Sequence, residues 1–259
     1  MIRRAAEVYR TEGLNRLLVK SVRAIRRYTS LAYWRGRGSR TFEIEGVTAT
    51  FTTEGHAARS LQIFDEGERE MVRDMVSNVD DDDVFWDIGG HLGFHSCLVG
   101  QCTDRVETFE PTSVAADRAR KHAATNDVDA AVHEYALWDA NETLTLEPDS
   151  VATGGEGPVT VPARKGDDLV DDELPQPNVV KIDVEGAEPR VVDGMRETLA
   201  DDQCRLVYCE VHRPAETRPS VEDHGATVEE FLDSLRDLGF TVETIMDRGL
   251  DLHVKAHAV

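Results

Sequence analysis

The chain predicts an α/β fold, a mostly parallel sheet covered by helices on both faces, and three observations carry that prediction. Short runs of strand type at residues 84–88, 105–110 and 178–183 alternate with stretches of helical period. Each run holds an acid at or near its carboxyl end: Asp87, Glu110 and Asp183. The first run is followed at once by Gly89, Gly90 and Gly93, as expected where a strand turns tightly into a helix and a ligand approaches the backbone.

Taken in order, residues 14–27 read as an amphipathic helix, with Leu14, Leu17, Leu18, Val22 and Ile25 on one face and Arg16, Lys20, Arg23 and Arg27 on the other. Such a helix suits either a peripheral contact with an anionic membrane or docking on its own acidic domain. Residues 35–40 are rich in Gly and Arg and read as a linker, so 1–40 form an appendage and 41–259 the main domain. Alternation on both sides of Gly46 predicts a hairpin over residues 42–51, within an N-terminal extension at 41–64. Residues 65–76 predict a helix whose apolar face is Met71, Val72, Met75 and Val76. The acids at 80–83 are a hydrated loop, and no metal is assigned to them.

After the glycine turn the alternation continues. A strand at 105–110 leads to a helix at 113–125, and residues 130–136 form a third strand. Residues 142–161 break the rhythm with a β insertion around a glycine-rich stretch. A buried fourth strand at 178–183 precedes a helix at 189–199, where Pro189 suits the first turn because it has no N–H to lose. Residues 204–211 give a fifth strand and 227–238 a helix closed by Gly239. Residues 241–245 and 252–256 make a closing antiparallel pair. Ligands of such sheets bind at the carboxyl ends of the strands.

Composition limits the function. The net charge of −21 is uneven: residues 1–40 hold 11 basic and 2 acidic residues, so the remainder carries −30. A body of that charge does not bind nucleic acid by simple electrostatics. The whole chain's basic residues are 24 Arg against 5 Lys, a usage that resembles proteins of salt-loving archaea, where an acidic surface is an adaptation to salt. No apolar run approaches the ~20 residues needed to cross a bilayer and the N-terminus lacks a signal-peptide core, so a cytoplasmic protein is expected, with the inner membrane face as an option for the basic helix. The cysteines form pairs five apart, Cys97/Cys102 and Cys204/Cys209, unlike the C-x-x-C of zinc or redox sites.

The glycine spacing separates two cofactor classes. A dinucleotide fingerprint from Gly89 needs glycine at 91 and 94, where His91 and Phe94 stand. The spacing present, Asp87-x-Gly89-x-x-x-Gly93, resembles the first motif of S-adenosylmethionine-dependent methyltransferases. Glu110, 21 residues beyond Gly89, stands where an acid accepts hydrogen bonds from ribose hydroxyls, although it could equally cap the following helix. Asp183 and Glu185 follow an apolar strand, and acids placed there ask for a functional reason. Glu188 reads as a helix N-terminal acid. Glu210 and His212, two apart on a strand, share one face; His212 suits proton transfer near neutral pH, or caps the strand.

Together, D-I-G-x-x-x-G, F-E-P, K-I-D-V-E-G-A-E and C-E-V-H, in this order, resemble the FkbM family of methyltransferases over about residues 60–245. Gly90-His91 departs from the Ala-Asn usual in its glycine loop. The resemblance implies a Rossmann-like methyltransferase fold with a seven-stranded sheet and an antiparallel C-terminal strand. It implies S-adenosylmethionine as cofactor, held by Asp87, Gly89, Gly90, Gly93, Glu110, Pro111 and Ala136. It also implies methyl transfer to a hydroxyl of a sugar, glycan or related metabolite. Asp183 and His212 are the catalytic candidates, and Glu185 and Glu210 would hold the acceptor. The loops at 142–165 and 213–226 would set specificity, and no metal is required. A nucleotide-dependent oxidoreductase and a non-catalytic module recruited to a membrane are the rival classes.

Overall fold

The computed structural model describes residues 21–22, 25–146, 157–170, 173–216 and 218–258, with the side chains of 65 and 66 excepted. Leu14, Leu17, Leu18, Arg16, Lys20 and Arg23 of the expected basic helix lie outside the described residues. Residues 21–22 and 25–37 are helical, the latter forming α1. There is no linker at 35–37, because the last turn of α1 is tied down. The Trp34 carbonyl accepts from Thr53 Oγ1 at 2.7 Å, and Arg35 donates to the Gly55 carbonyl.

A hairpin of β1 (Ser39–Ile44) and β2 (Val47–Thr52) follows, turning through Glu45 and Gly46. The helix expected at 65–76 is instead two helices, α2 (Ala57–Gly67) and α3 (Arg69–Asn78). Glu68 is the joint, and its carboxylate turns inward to His95 Nε2 at 2.9 Å. Met71, Val72 and Met75 are the buried face of α3, as their spacing predicts.

The central sheet has seven strands in the order β11-β12-β10-β9-β3-β4-β5. These are β3 (Val84–Ile88), β4 (Arg105–Phe109), β5 (Ala130–His133), β9 (Val179–Ile182), β10 (Leu206–His212), β11 (Phe240–Asp247) and β12 (Asp251–Ala258). β12 runs antiparallel to both its neighbours and the inner pairs are parallel. All residues of β3 are buried, as expected of a central parallel strand covered on both faces. Val84, Trp86 and Ile88 pack into one core with α6 (Glu188–Asp193), α7 (Arg196–Ala200) and α8 (Val228–Asp237). Phe85 packs into the other, with the hairpin, α3 and α4 (Phe94–Val99). Fully burying each such side chain contributes about 1.5–3 kcal/mol.

Two expectations are corrected, one about a strand and one about a helix. The third strand ends at His133, and Ala136 opens β6 (Ala136–Leu137) in a second, three-stranded sheet. That sheet is completed by β7 (Glu142–Leu146) and β8 (Val159–Arg164), which pair antiparallel and form the β insertion. The expected helix at 189–199 breaks at Gly194, where a Cβ would stand 1.8 Å from the Trp138 carbonyl oxygen. α5 (Ser113–Thr125) has the predicted bounds.

Candidate active site

Strand alternation decides which polar groups meet. Phe85, Val179 and Tyr208 face the core that holds the hairpin, and two residues further along each strand the same face carries Asp87, Lys181 and Glu210. Asp183 and His212 extend the series. A polar site therefore grows out of one face at the carboxyl ends of β3, β9 and β10.

Asp87 is fully buried. Its Oδ2 accepts from the backbone N–H of Ser96, at 3.0 Å, and from the Ser96 hydroxyl, and its Oδ1 lies 3.3 Å from Lys181 Nζ. Burial, the largest influence, pushes the carboxyl up, but Lys181, His95 and the Ser96 hydrogen bond together hold the group below its usual value. Asp87 thus fastens α4 and the glycine loop from below. Lys181 Nζ also reaches the Gly89 carbonyl and lies 3.6 Å from Asp183 Oδ2. Against burial, its two acids keep the ammonium protonated.

The glycines are required by protein neighbours. Gly89 has φ 80°, and a Cβ on it would stand 1.8 Å from the Asp183 carbonyl oxygen; a Cβ on Gly90 would meet Thr108 Cγ2. Gly93, at φ 71°, caps α4 against Ala119. The glycine loop and the Asp183 turn are therefore in backbone contact. Glu110 fastens the loop from the other side. Its Oε2 accepts from the His91 N–H at 3.0 Å, while Oε1 takes both the N–H and hydroxyl of Thr112 at the start of α5. It holds the residue that precedes α5 rather than an N–H of the helix itself, and its buried carboxyl is raised mainly by desolvation. Pro111 lies half-buried beside it, and Ala136 is half-buried on β6.

The other acids are arranged differently. His212 is buried, with Nδ1 2.8 Å from Glu188 Oε1. Its Nε2 lies 3.8 Å from Asp183 Oδ1 and 3.6 Å from Glu185 Oε2. Burial opposes a charge on the imidazole, but Glu188 and the other acids overcome it and raise His212 to about 10. Asp183 is held below its usual value against burial, chiefly by Lys181 and then His212. Glu185 is raised to about 7 by desolvation and by Asp183; its side chain is 68% exposed, so water screens part of that effect. Glu185 has φ 53°, the left-handed region in which a non-glycine residue costs of order 1–3 kcal/mol. Glu210 is raised by burial first and Asp183 second, and lies 3.3 Å from His253 Nε2.

The sequence reading thus brought together Asp183, Glu185, Glu210 and His212, while Lys181, the Glu68–His95 pair and His253 went unassigned and Glu188 was read only as a helix N-terminal acid. Lys181 had a signal, being a charge in an apolar strand two residues before Asp183 and on its face. Among the described residues, Asp183, Glu185 and His212 each offer an atom within 4.8 Å of the others, as do Glu68, Asp183 and Glu210. The first set is disfavoured as a metal centre while His212 holds both protons.

A family model described as the methyltransferase FkbM domain matches residues 87–242. Hexuronic acid methyltransferase AglP of Haloferax volcanii is 31% identical over 203 residues, which is 75% of this chain and 83% of that protein. The crystal structure of methyltransferase FkbM from Methylobacillus flagellatus aligns with a TM-score of 0.50 at 17% identity, covering 79% of this chain and 52% of that one. The chain therefore spans about half the length of that crystallised protein. Magnesium protoporphyrin IX methyltransferase from Synechocystis, a structure with bound SAM, aligns with a TM-score of 0.50 at 11% identity over 98% of this chain and 94% of that one. The two structural likenesses establish the fold.

Proposed function

The chain belongs to the FkbM methyltransferase family, and on that premise we propose that it methylates a hydroxyl oxygen of a sugar, with a hexuronic acid residue of a glycan as the first acceptor to try. The methyl donor is S-adenosylmethionine. The oxidoreductase and non-catalytic classes are not favoured by the family. The acceptor class is drawn from the haloarchaeal relative's name.

The residues fit the cofactor. Glu110 Oε2 takes one N–H from the loop and keeps a lone pair for a ribose hydroxyl. The Gly89–Gly93 turn lies beside it, and Pro111 and Ala136 sit beyond β4 and β5. When bound, the cofactor supplies a methyl group already activated on a sulfonium, so the protein's share is alignment and proton removal.

Asp183 accepts the hydroxyl proton, because His212, at about 10, already carries its proton at neutral pH. His212 stands beside it as a cation, and Glu185 and Glu210 hold neighbouring hydroxyls. The observation that carries this assignment is the placement of Asp183 between the backbone of Gly89 and the ring of His212. Alignment lowers such barriers by up to ~7–11 kcal/mol in the best cases, and a general base adds about 10²–10⁴-fold. The test is methyl transfer in molar salt to glycans that contain a hexuronic acid, read by mass spectrometry. A methylated sugar is expected; its absence from every hexuronic acid offered, by protein that binds the donor, would overturn the acceptor class.

α1 adds a peripheral role to the proposal. Its Ile25, Tyr28 and Tyr33 are exposed, as are Arg26 and Arg27, a combination suited to an anionic lipid surface. Among the described residues no helix is long and apolar enough to cross a membrane. Flotation with anionic vesicles, with and without residues 1–37, tests the contact, which requires binding by the full chain alone.

A further inference from the structure

We propose that Glu188 is a positioning residue of the transfer reaction, clamping His212 through Nδ1 so that a fixed imidazolium, with Nε2–H directed at Asp183 and Glu185, stands beside the base. The inference rests on the proposed role of Asp183. Glu188 opens α6 and would ordinarily pass for an acid favoured by the helix dipole.

Its geometry goes further than that. The side chain is fully buried, and Oε1 alone accepts from His212 Nδ1 at 2.8 Å, Gly186 N–H at 3.0 Å and Val184 N–H at 3.4 Å. Oε2 is buried with no hydrogen-bond partner among the described residues. A buried carboxylate oxygen left without a partner is costly and calls for an explanation. Holding the turn does not supply one, since a neutral glutamine oxygen would accept the same two backbone N–H groups without burying a charge. The negative charge itself is used, and the group positioned to use it is the imidazole.

The two interactions are coupled through one short turn. Glu185 and Gly186 both have positive φ, 53° and 102°, and a Cβ on Gly186 would stand 2.6 Å from the Ser220 nitrogen. Glu188 Oε1 thus fixes the backbone that carries Asp183 and Glu185 as well as the ring they face. Charged groups approach His212 from every side: Glu188 from α6, Asp183 and Glu185 from the turn after β9, Glu210 from β10 and Asp251 from β12. Asp251 is paired with Arg218 and Arg248. Among these acids Glu188 alone touches Nδ1, so it sets the ring orientation.

The test is an NMR titration of ¹⁵N-histidine-labelled full chain in molar salt, comparing wild type with Glu188→Gln and Glu188→Asp. His212 should stay doubly protonated through pH 8 in the wild type. Its midpoint should fall at least tenfold in proton affinity in Glu188→Gln and less in Glu188→Asp, which keeps the charge at shorter reach. The alkaline limb of the methyl-transfer pH profile should move with it, while donor affinity stays constant. An unchanged midpoint in Glu188→Gln would overturn the proposal, as would a uniform loss of activity with the pH profile unmoved. Should the glutamine variant fail to fold, an unchanged midpoint in Glu188→Asp overturns it equally. The titration needs no acceptor, so a wrong acceptor class leaves its result standing.

Discussion

Two acidic regions lie side by side at the carboxyl ends of the strands, and their carboxylates are treated in opposite ways. At the glycine loop, Asp87 and Glu110 are surrounded by N–H and O–H donors from Ser96, His91 and Thr112. At the ends of β9 and β10, no N–H or O–H donor among the described residues hydrogen-bonds the Asp183 or Glu185 carboxylate. They face the His212 ring, the Lys181 ammonium and one another instead. Satisfied acids make a rigid cradle. Acids left short of donors keep their charge available for a ligand and a proton, at a cost in stability that the cradle offsets.

The comparison breaks first at Asp183. Asp183→Asn should lower kcat by about 10²–10⁴-fold, the usual contribution of a general base, with the melting temperature little changed. Retained turnover would move the base elsewhere. In the cradle the effect should be on folding. Lys181→Met leaves Asp87 buried without its counter-charge and should cost about 3–5 kcal/mol in denaturant unfolding. Ser96→Ala removes a charge-assisted hydrogen bond to Asp87 and should cost about 1.5–3 kcal/mol by the same measurement.

The smallest effect at neutral pH comes from His212. Its folded-state value of about 10 lies above its ordinary ~6.5, so its contribution to stability is complete below pH 6.5 and is lost as pH rises through about 10. With Asp183 as base, turnover should hold through neutral pH and fall as His212 loses its proton. A rate climbing toward pH 10 would make His212 the base instead.

Much of this was legible in the sequence. The runs of strand type placed β3, β4, β9 and β10, and the D-x-G-x-x-x-G spacing placed the turn, because neither an apolar run nor a glycine turn needs tertiary information. Strand alternation put Glu210 and His212 on one face. What failed depended on partners remote in sequence. Glu68 split the predicted helix because it reaches His95, and Ala136 left the central sheet because β8 pairs with it. Glu188 has the position of an ordinary helix-start acid, and only the fold shows His212 against it. The glycines were read as room for a ligand, yet Gly89 makes room for the Asp183 carbonyl, a contact between segments 94 residues apart.

The division of labour between the two regions is tested most directly by calorimetric titration of S-adenosylmethionine, in molar salt, into wild type, Glu110→Gln and Asp183→Asn. The account predicts strong loss of binding in Glu110→Gln and near-wild-type binding in an Asp183→Asn protein that no longer turns over. Binding retained in Glu110→Gln and lost in Asp183→Asn would contradict it, and would make the acids of β9 the seat of the cofactor.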